Sequence, residues 1–179
     1  MKGIIFNAVE EAVTELHGAD TWDELLERAG LDGAYTALGN YPDDELFTLV
    51  GAASALTEQA TDDVLRILGR HALPILAAQV EELVDRDGHV FDFLASVHDI
   101  IHVEVRKLSP GATPPDLVAE RLADDVLRLS YRSSRGLSAL AEGLIVGAGD
   151  LFDQPIEVKV QPHEDGPQTA VFEVRLVSA

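Results

Sequence analysis

Two adjacent prolines, Pro114 and Pro115, divide the chain. Neither can continue a helix, and Pro114 pushes Thr113 towards extended geometry. Before them, in SPGATPPD, a long helical pattern ends; after them the spacing of apolar residues changes from the 3.6 period of a helix to the alternation of a strand. A chain with one such break is predicted to fold as α+β, a helical N-terminal part followed by a β-helix-β-β unit with an antiparallel sheet.

On the helical side, Ile5, Val9, Ala12, Val13 and Leu16 recur at helical spacing. Thr21 is read as the cap of a second helix carrying Trp22, Leu25 and Leu26, which Gly30 and Gly33 close. Pro42 suits the first turn of a helix running through Leu46, Phe47, Val50 and Ala53. Thr61 is read as the cap of a helix from Asp62 to Val84; residues 86–89 are a turn, and a helix spans about Val90 to Leu108. Beyond the break, Leu127, Leu129 and Tyr131 alternate with Arg128, Ser130 and Arg132 in a strand. GLSALAEGLIVGAGDLF returns to helix, and PIEVKV with TAVFEVRLV, joined by the turn-rich QPHEDGPQ, reads as a hairpin. One domain is expected over 1–179, with a helical part at about 1–84 and the remainder at about 85–179.

Composition narrows the function. Against 32 acidic residues stand 13 Lys and Arg, a net charge of -19, with no basic cluster to neutralise phosphates. Nucleic acid and anionic membranes are therefore unsuited as partners. Cys is absent, which excludes disulfides, thiolate metal sites and cysteine nucleophiles. No apolar run approaches the ~20 residues of a membrane span, and the start does not have the pattern of a signal peptide. A cytoplasmic protein is expected.

The chemistry concentrates in two places. HDIIH places His98 and His102 one helical turn apart, on or beside an apolar face formed by Phe91, Leu94, Ala95, Ile101, Val105 and Leu108. Such a pair suits a zinc hydrolase with Asp99 as base, a buried histidine satisfied by its surroundings, or one axial ligand to a haem. YRSSR places Tyr131, Ser133 and Arg135 on one side of an extended chain, a row of donors about 13 Å long at ~3.3 Å per residue. Two hydroxyls and a forked guanidinium suit a pair of carboxylates.

Taken together, MKGIIF, I-H-V-E-V-R-K-L followed by G-A-T-P-P, the Y-x-S-x-R triad and the helix EGLIVGAGDLF resemble the haem-nitric oxide/oxygen binding (H-NOX) domains. These include the sensor module of soluble guanylate cyclase, and the resemblance covers nearly the entire chain. It implies a non-covalent haem b held at iron by His102, with His98 only lining the haem face. It implies Tyr131, Ser133 and Arg135 as donors to the propionates, and Ile5, Ile101, Pro115 and Leu144 as packing on the porphyrin. The matching distal positions, Val9, Pro74 and Leu140, are apolar, and the helix after the triad carries no tyrosine. Nitric oxide and carbon monoxide are then the expected ligands, without stable oxygen binding.

The family likeness also implies that nitric oxide weakens the iron–His102 bond and frees that helix. No catalytic residue is expected. With no effector segment after residue 179, the signal is expected to pass in trans, as in stand-alone relatives that pair with histidine kinases or diguanylate cyclases. Two other readings remain: a zinc-dependent hydrolase using His98 and His102, and a domain without haem that serves as an interaction scaffold.

Overall fold

The computed structural model describes residues 1–162 and 168–177. Four helices come first: α1 (Gly3–His17), α2 (Ala19–Ala29), α3 (Asp43–Thr57) and α4 (Thr61–Ala78). A 3₁₀ turn (Glu81–Leu83) leads to α5 (Val90–Ser96), a π-helical turn (Val97–Ile101) and α6 (His102–Leu108). Strands β1 (Asp116–Ala123) and β2 (Val126–Arg132), helix α7 (Ser138–Leu151), and strands β3 (Ile156–Pro162) and β4 (Thr169–Leu176) complete the chain. The sheet is antiparallel throughout, in the order β1-β2-β4-β3. The fold is α+β, as the break at Pro114 predicts.

Several boundaries differ from expectation for local reasons. Gly18, at φ 90, separates α1 from α2, so Thr21 lies inside α2 and donates its hydroxyl to the His17 carbonyl instead of capping. Thr61 is the first helical residue of α4, which ends at Ala78; the chain then tightens into the 3₁₀ turn and delivers Val84 to the core. The expected β-helix-β-β unit gains a strand, because DLVAERLA forms β1. Only Leu117 of that strand is buried and its Ala, Glu and Arg residues favour helix, so no alternation marks it. Pairing with β2 holds it in place. The residues 163–167 that join β3 to β4, His163 included, lie outside the described residues.

Two hydrophobic cores result. Phe6, Val9, Trp22, Leu46 and Leu65 centre the helical one; Phe91, Leu129, Phe172 and Val174 centre the one against the sheet. Helix α7 serves both, giving Ala139, with Leu137 just ahead of its first turn, to the first and Ile145 and Ala148 to the second. It crosses α4 at backbone contact. A Cβ on Gly69 would stand 2.3 Å from the Leu140 carbonyl oxygen, and one on Gly143 2.1 Å from that of Arg66. Pro74, inside α4, removes the N–H that the Arg70 carbonyl would accept, and that carbonyl lies against Gly147.

The helical wheel through 91–108 needs one correction. Ala95 is exposed and Phe93 is buried, its ring 5.1 Å from that of Phe152. A π turn widens the helix at Val97–Ile101, so a constant 3.6 period does not describe this segment. Among the described residues no helix is long and apolar enough to cross a membrane.

Candidate functional site

His102 opens α6 directly after the π turn. Its Nδ1 is buried and makes no hydrogen bond to any described residue. Burial, then the nearby charges of Arg106 and His98, lower its pKa to about 4, an effect the neighbouring Pro115 carbonyl only partly offsets. The ring is therefore neutral at pH 7, with a lone pair available. An unpartnered polar atom in such a position calls for a ligand or a function.

His98 stands one turn earlier, its ring centroid 6.4 Å from that of His102. The two rings differ in their surroundings. His98 Nδ1 accepts a hydrogen bond from the Leu117 backbone N–H at 3.3 Å, at the start of β1. Among the described residues, no three His, Asp or Glu side chains cluster closely enough to hold a metal ion, so the zinc reading has no third ligand.

The donor row departs from the extended geometry read from sequence. Tyr131 is in β2, 4% exposed, and pairs across the ladder with Leu117. After Arg132 the chain leaves the sheet and turns, and Ser133 Oγ accepts from the Arg135 backbone N–H at 3.3 Å. The turn folds the row instead of stretching it over 13 Å. Burial raises the pKa of the Tyr131 phenol, partly offset by the Ser133 side chain and the Leu137 backbone beside it, so the O–H stays a donor.

Arg135 is already engaged. Its Nε donates to Asp43 Oδ2 at 2.9 Å, and its two terminal nitrogens donate to the Thr113 carbonyl and hydroxyl, both at 2.6 Å. Asp43 also accepts from the Met1 α-amino group at 2.6 Å. Burial raises the carboxyl pKa, but those two cations outweigh it and hold the group ionised below the usual carboxylate range. Neither Asp43 nor Thr113 was singled out by sequence reasoning. Asp43 follows Pro42 at a helix start, where an acidic residue is expected for the dipole alone.

The apolar positions divide between the two cores and the space outside both. Ile5 and Leu144 are half-buried and Pro74 is exposed; all three are helical, yet none is among the described members of either core. Val9 (3% exposed) belongs to the helical core, with half-buried Leu140 packed against it, and Ile101 (8%) belongs to the sheet-side core. Half-buried Pro115 lies beside His102. Apolar side chains left uncovered by both cores, a neutral unpartnered imidazole, and a nearby knot of hydroxyl and guanidinium donors match a flat apolar group with acidic tails.

Comparison with known proteins agrees. The family model described as Haem-NO-binding matches residues 2–160. The soluble guanylate cyclase gcy-32 of Caenorhabditis elegans is 28% identical over 171 residues, covering 90% of this chain and 25% of that protein. Soluble guanylate cyclase 89Da of Drosophila melanogaster is 25% identical over 196 residues, covering 98% and 29%. The chain thus spans about a quarter of the length of these relatives. Among solved structures, an H-NOX protein from S. oneidensis in the Fe(II)NO ligation state is similar with a TM-score of 0.90 and 31% identity, covering 99% of this chain and 100% of that one. An unliganded Fe(II) H-NOX protein from K. algicida has a TM-score of 0.86 and 29% identity, covering 100% and 98%. With the family model matching residues 2–160 and the fold matched along nearly the whole chain, the chain belongs to the haem-NO-binding, or H-NOX, family.

Proposed function

We propose that residues 1–179 form one gas-sensing unit that holds haem b non-covalently and binds nitric oxide and carbon monoxide but not oxygen. The helical part at about 1–84 supplies the distal wall, and the remainder, about 85–179, the iron ligand and the propionate donors. The observation that carries this reading is half-buried His102, a neutral ring whose buried Nδ1 has no hydrogen-bond partner among the described residues. Bound haem supplies the ferrous iron that takes the gas.

The chain's own groups do the rest. His102 offers a lone pair without first losing a proton, because burial has already removed that proton. Tyr131 and Ser133 donate O–H groups to the acidic tails, and Arg135, steadied by Asp43, adds a charge-assisted fork. Ile5, Ile101, Leu144 and Pro115 provide the apolar contact. With no Cys in the chain, thioether attachment is excluded.

Selectivity follows from what the distal side lacks. A gas that gains negative charge on binding needs a hydrogen-bond donor, whereas one that gains little does not. Val9, Pro74 and Leu140 offer neither O–H nor N–H, so the wall favours nitric oxide and carbon monoxide.

The segment Val90–Leu108 packs on the sheet through its buried side chains, and loosening His102 frees it to shift against β1. The signal then passes in the cytoplasm to a separate histidine kinase or diguanylate cyclase through a basic docking patch, which a chain of net charge -19 would attract. Electronic spectra of the ferrous protein with nitric oxide and in air test the ligand choice. The haem reading requires a Soret band that His102→Ala loses, and a stable oxygen-bound spectrum in air refutes the selectivity.

A further inference from the structure

HDIIH offers two imidazoles, and the structure treats them differently. β1 is an edge strand, so N–H groups that point away from β2 have no strand partner. Leu117 directs its N–H to His98 Nδ1. A ring nitrogen that accepts a hydrogen bond carries no proton, so in the uncharged ring the proton sits on Nε2. Such a ring cannot present Nε2 to a metal without giving up its bond to Leu117. His102 is the reverse case, with Nδ1 free of any donor and the Pro115 carbonyl beside the ring.

The same bond has a mechanical side. Residues 113–117 run from the α6–β1 connection into the start of β1, a strap held at both ends. Arg135 grips Thr113 through its carbonyl and hydroxyl; His98 grips Leu117 through its N–H. Between these anchors lies Pro115, against His102. His98 belongs to the π turn, so its bond ties the widest turn of this helical segment to the sheet edge.

We propose that His98 is a positioning residue, which latches the π turn to β1 through the Leu117 N–H and, in doing so, commits its own ring to the tautomer that cannot ligate iron through Nε2. His102 is then the one imidazole of the pair free to ligate, and the strap is fixed on either side of Pro115. The ligand half of this inference rests on the haem reading above; the latch half does not.

The test compares His98→Leu, which removes the acceptor, with His98→Asn, whose Oδ1 replaces it close to the Nδ1 position. Hydrogen exchange at the Leu117 amide, measured in haem-free protein and in the ferrous carbon monoxide form, should speed up about tenfold in His98→Leu and stay near wild type in His98→Asn. The iron–histidine stretching band of the ferrous protein should shift in His98→Leu and return in His98→Asn. Unchanged exchange in His98→Leu overturns the latch. Should that variant not fold, ring nitrogen shifts of wild-type His98 decide the same point, because a protonated Nδ1 overturns the proposal. In His102→Ala no iron–imidazole band should survive; a band that persists there and disappears in His98→Ala/His102→Ala overturns the ligand half. If wild type takes up no haem, the haem reading fails, while Leu117 exchange in the haem-free protein still decides the latch.

Discussion

Replacing Gly143 by alanine should destabilise the protein, although alanine is the better helix former. A Cβ there would stand 2.1 Å from the Arg66 carbonyl oxygen and 2.8 Å from its carbon, both backbone atoms of α4. Normal carbon–oxygen contacts are about 3.3 Å, so α4 and α7 must separate by roughly 1 Å. Overpacking of this kind costs about 1–3 kcal/mol, and a backbone-to-backbone clash belongs at the upper end. Helix propensity returns about 1 kcal/mol. The net loss is about 2 kcal/mol, a melting temperature lower by about 4–8 °C for a chain this size. Gly51 is the control, since it lies in α3 with nothing within 4 Å of its missing Cβ. Gly51→Ala should gain about 1 kcal/mol from propensity alone. Thermal unfolding of the two variants beside wild type gives opposite signs if the close crossing is real. A Gly143→Ala protein that melts at or above wild type refutes the reasoning. Because α4 carries Pro74 and α7 carries Leu140 and Leu144, the separated helices should also retain haem less well.

Acid should weaken the haem-free protein through His102. Its pKa is about 4 when folded against an ordinary 6.5 for the unfolded chain, which therefore binds the proton first as pH falls. Stability is full above pH 6.5 and is lost between 6.5 and 4. From pH 7 to pH 5 the loss is about 2 kcal/mol, and urea titrations should show it in wild type but not in His102→Gln. An equal pH dependence in both proteins would sink this assignment. Arg135→Gln should weaken haem retention by about 10–100-fold, the weight of one charge-assisted bond, with Tyr131→Phe weaker in effect; transfer of haem to a scavenger protein measures both. Equal transfer rates in wild type and Arg135→Gln would remove the guanidinium from the site.

The helices were legible wherever an apolar face recurred over three or more turns, as in α1, α3, α4 and α7. Errors gathered where backbone geometry outweighed the pattern. The φ of 90 at Gly18 displaced a helix start from Thr21, and the π turn broke the constant period on which the wheel through 91–108 relied, where Ala95 proved exposed. The donor triad was legible as chemistry but not as shape. Y-x-S-x-R names three donors in any conformation, and only the turn after Arg132, with Thr113 and Asp43 waiting beside it, decides how they converge.

The largest gap in the fold and the open question at the site have one source. The spacing of HDIIH alone admits a zinc pair, a buried histidine or a haem ligand, because it places both rings near one face without saying what each meets. What distinguishes them in the structure is the Leu117 N–H, which reaches His98 and not His102. That donor exists only because residues 116–123 form an edge strand, and they form one only because β2 holds them. A segment with a single buried residue carries too little alternation to reveal itself as a strand. The difference between the two histidines is therefore a tertiary property, written through an element that local sequence does not specify, and helical spacing alone could not have shown it.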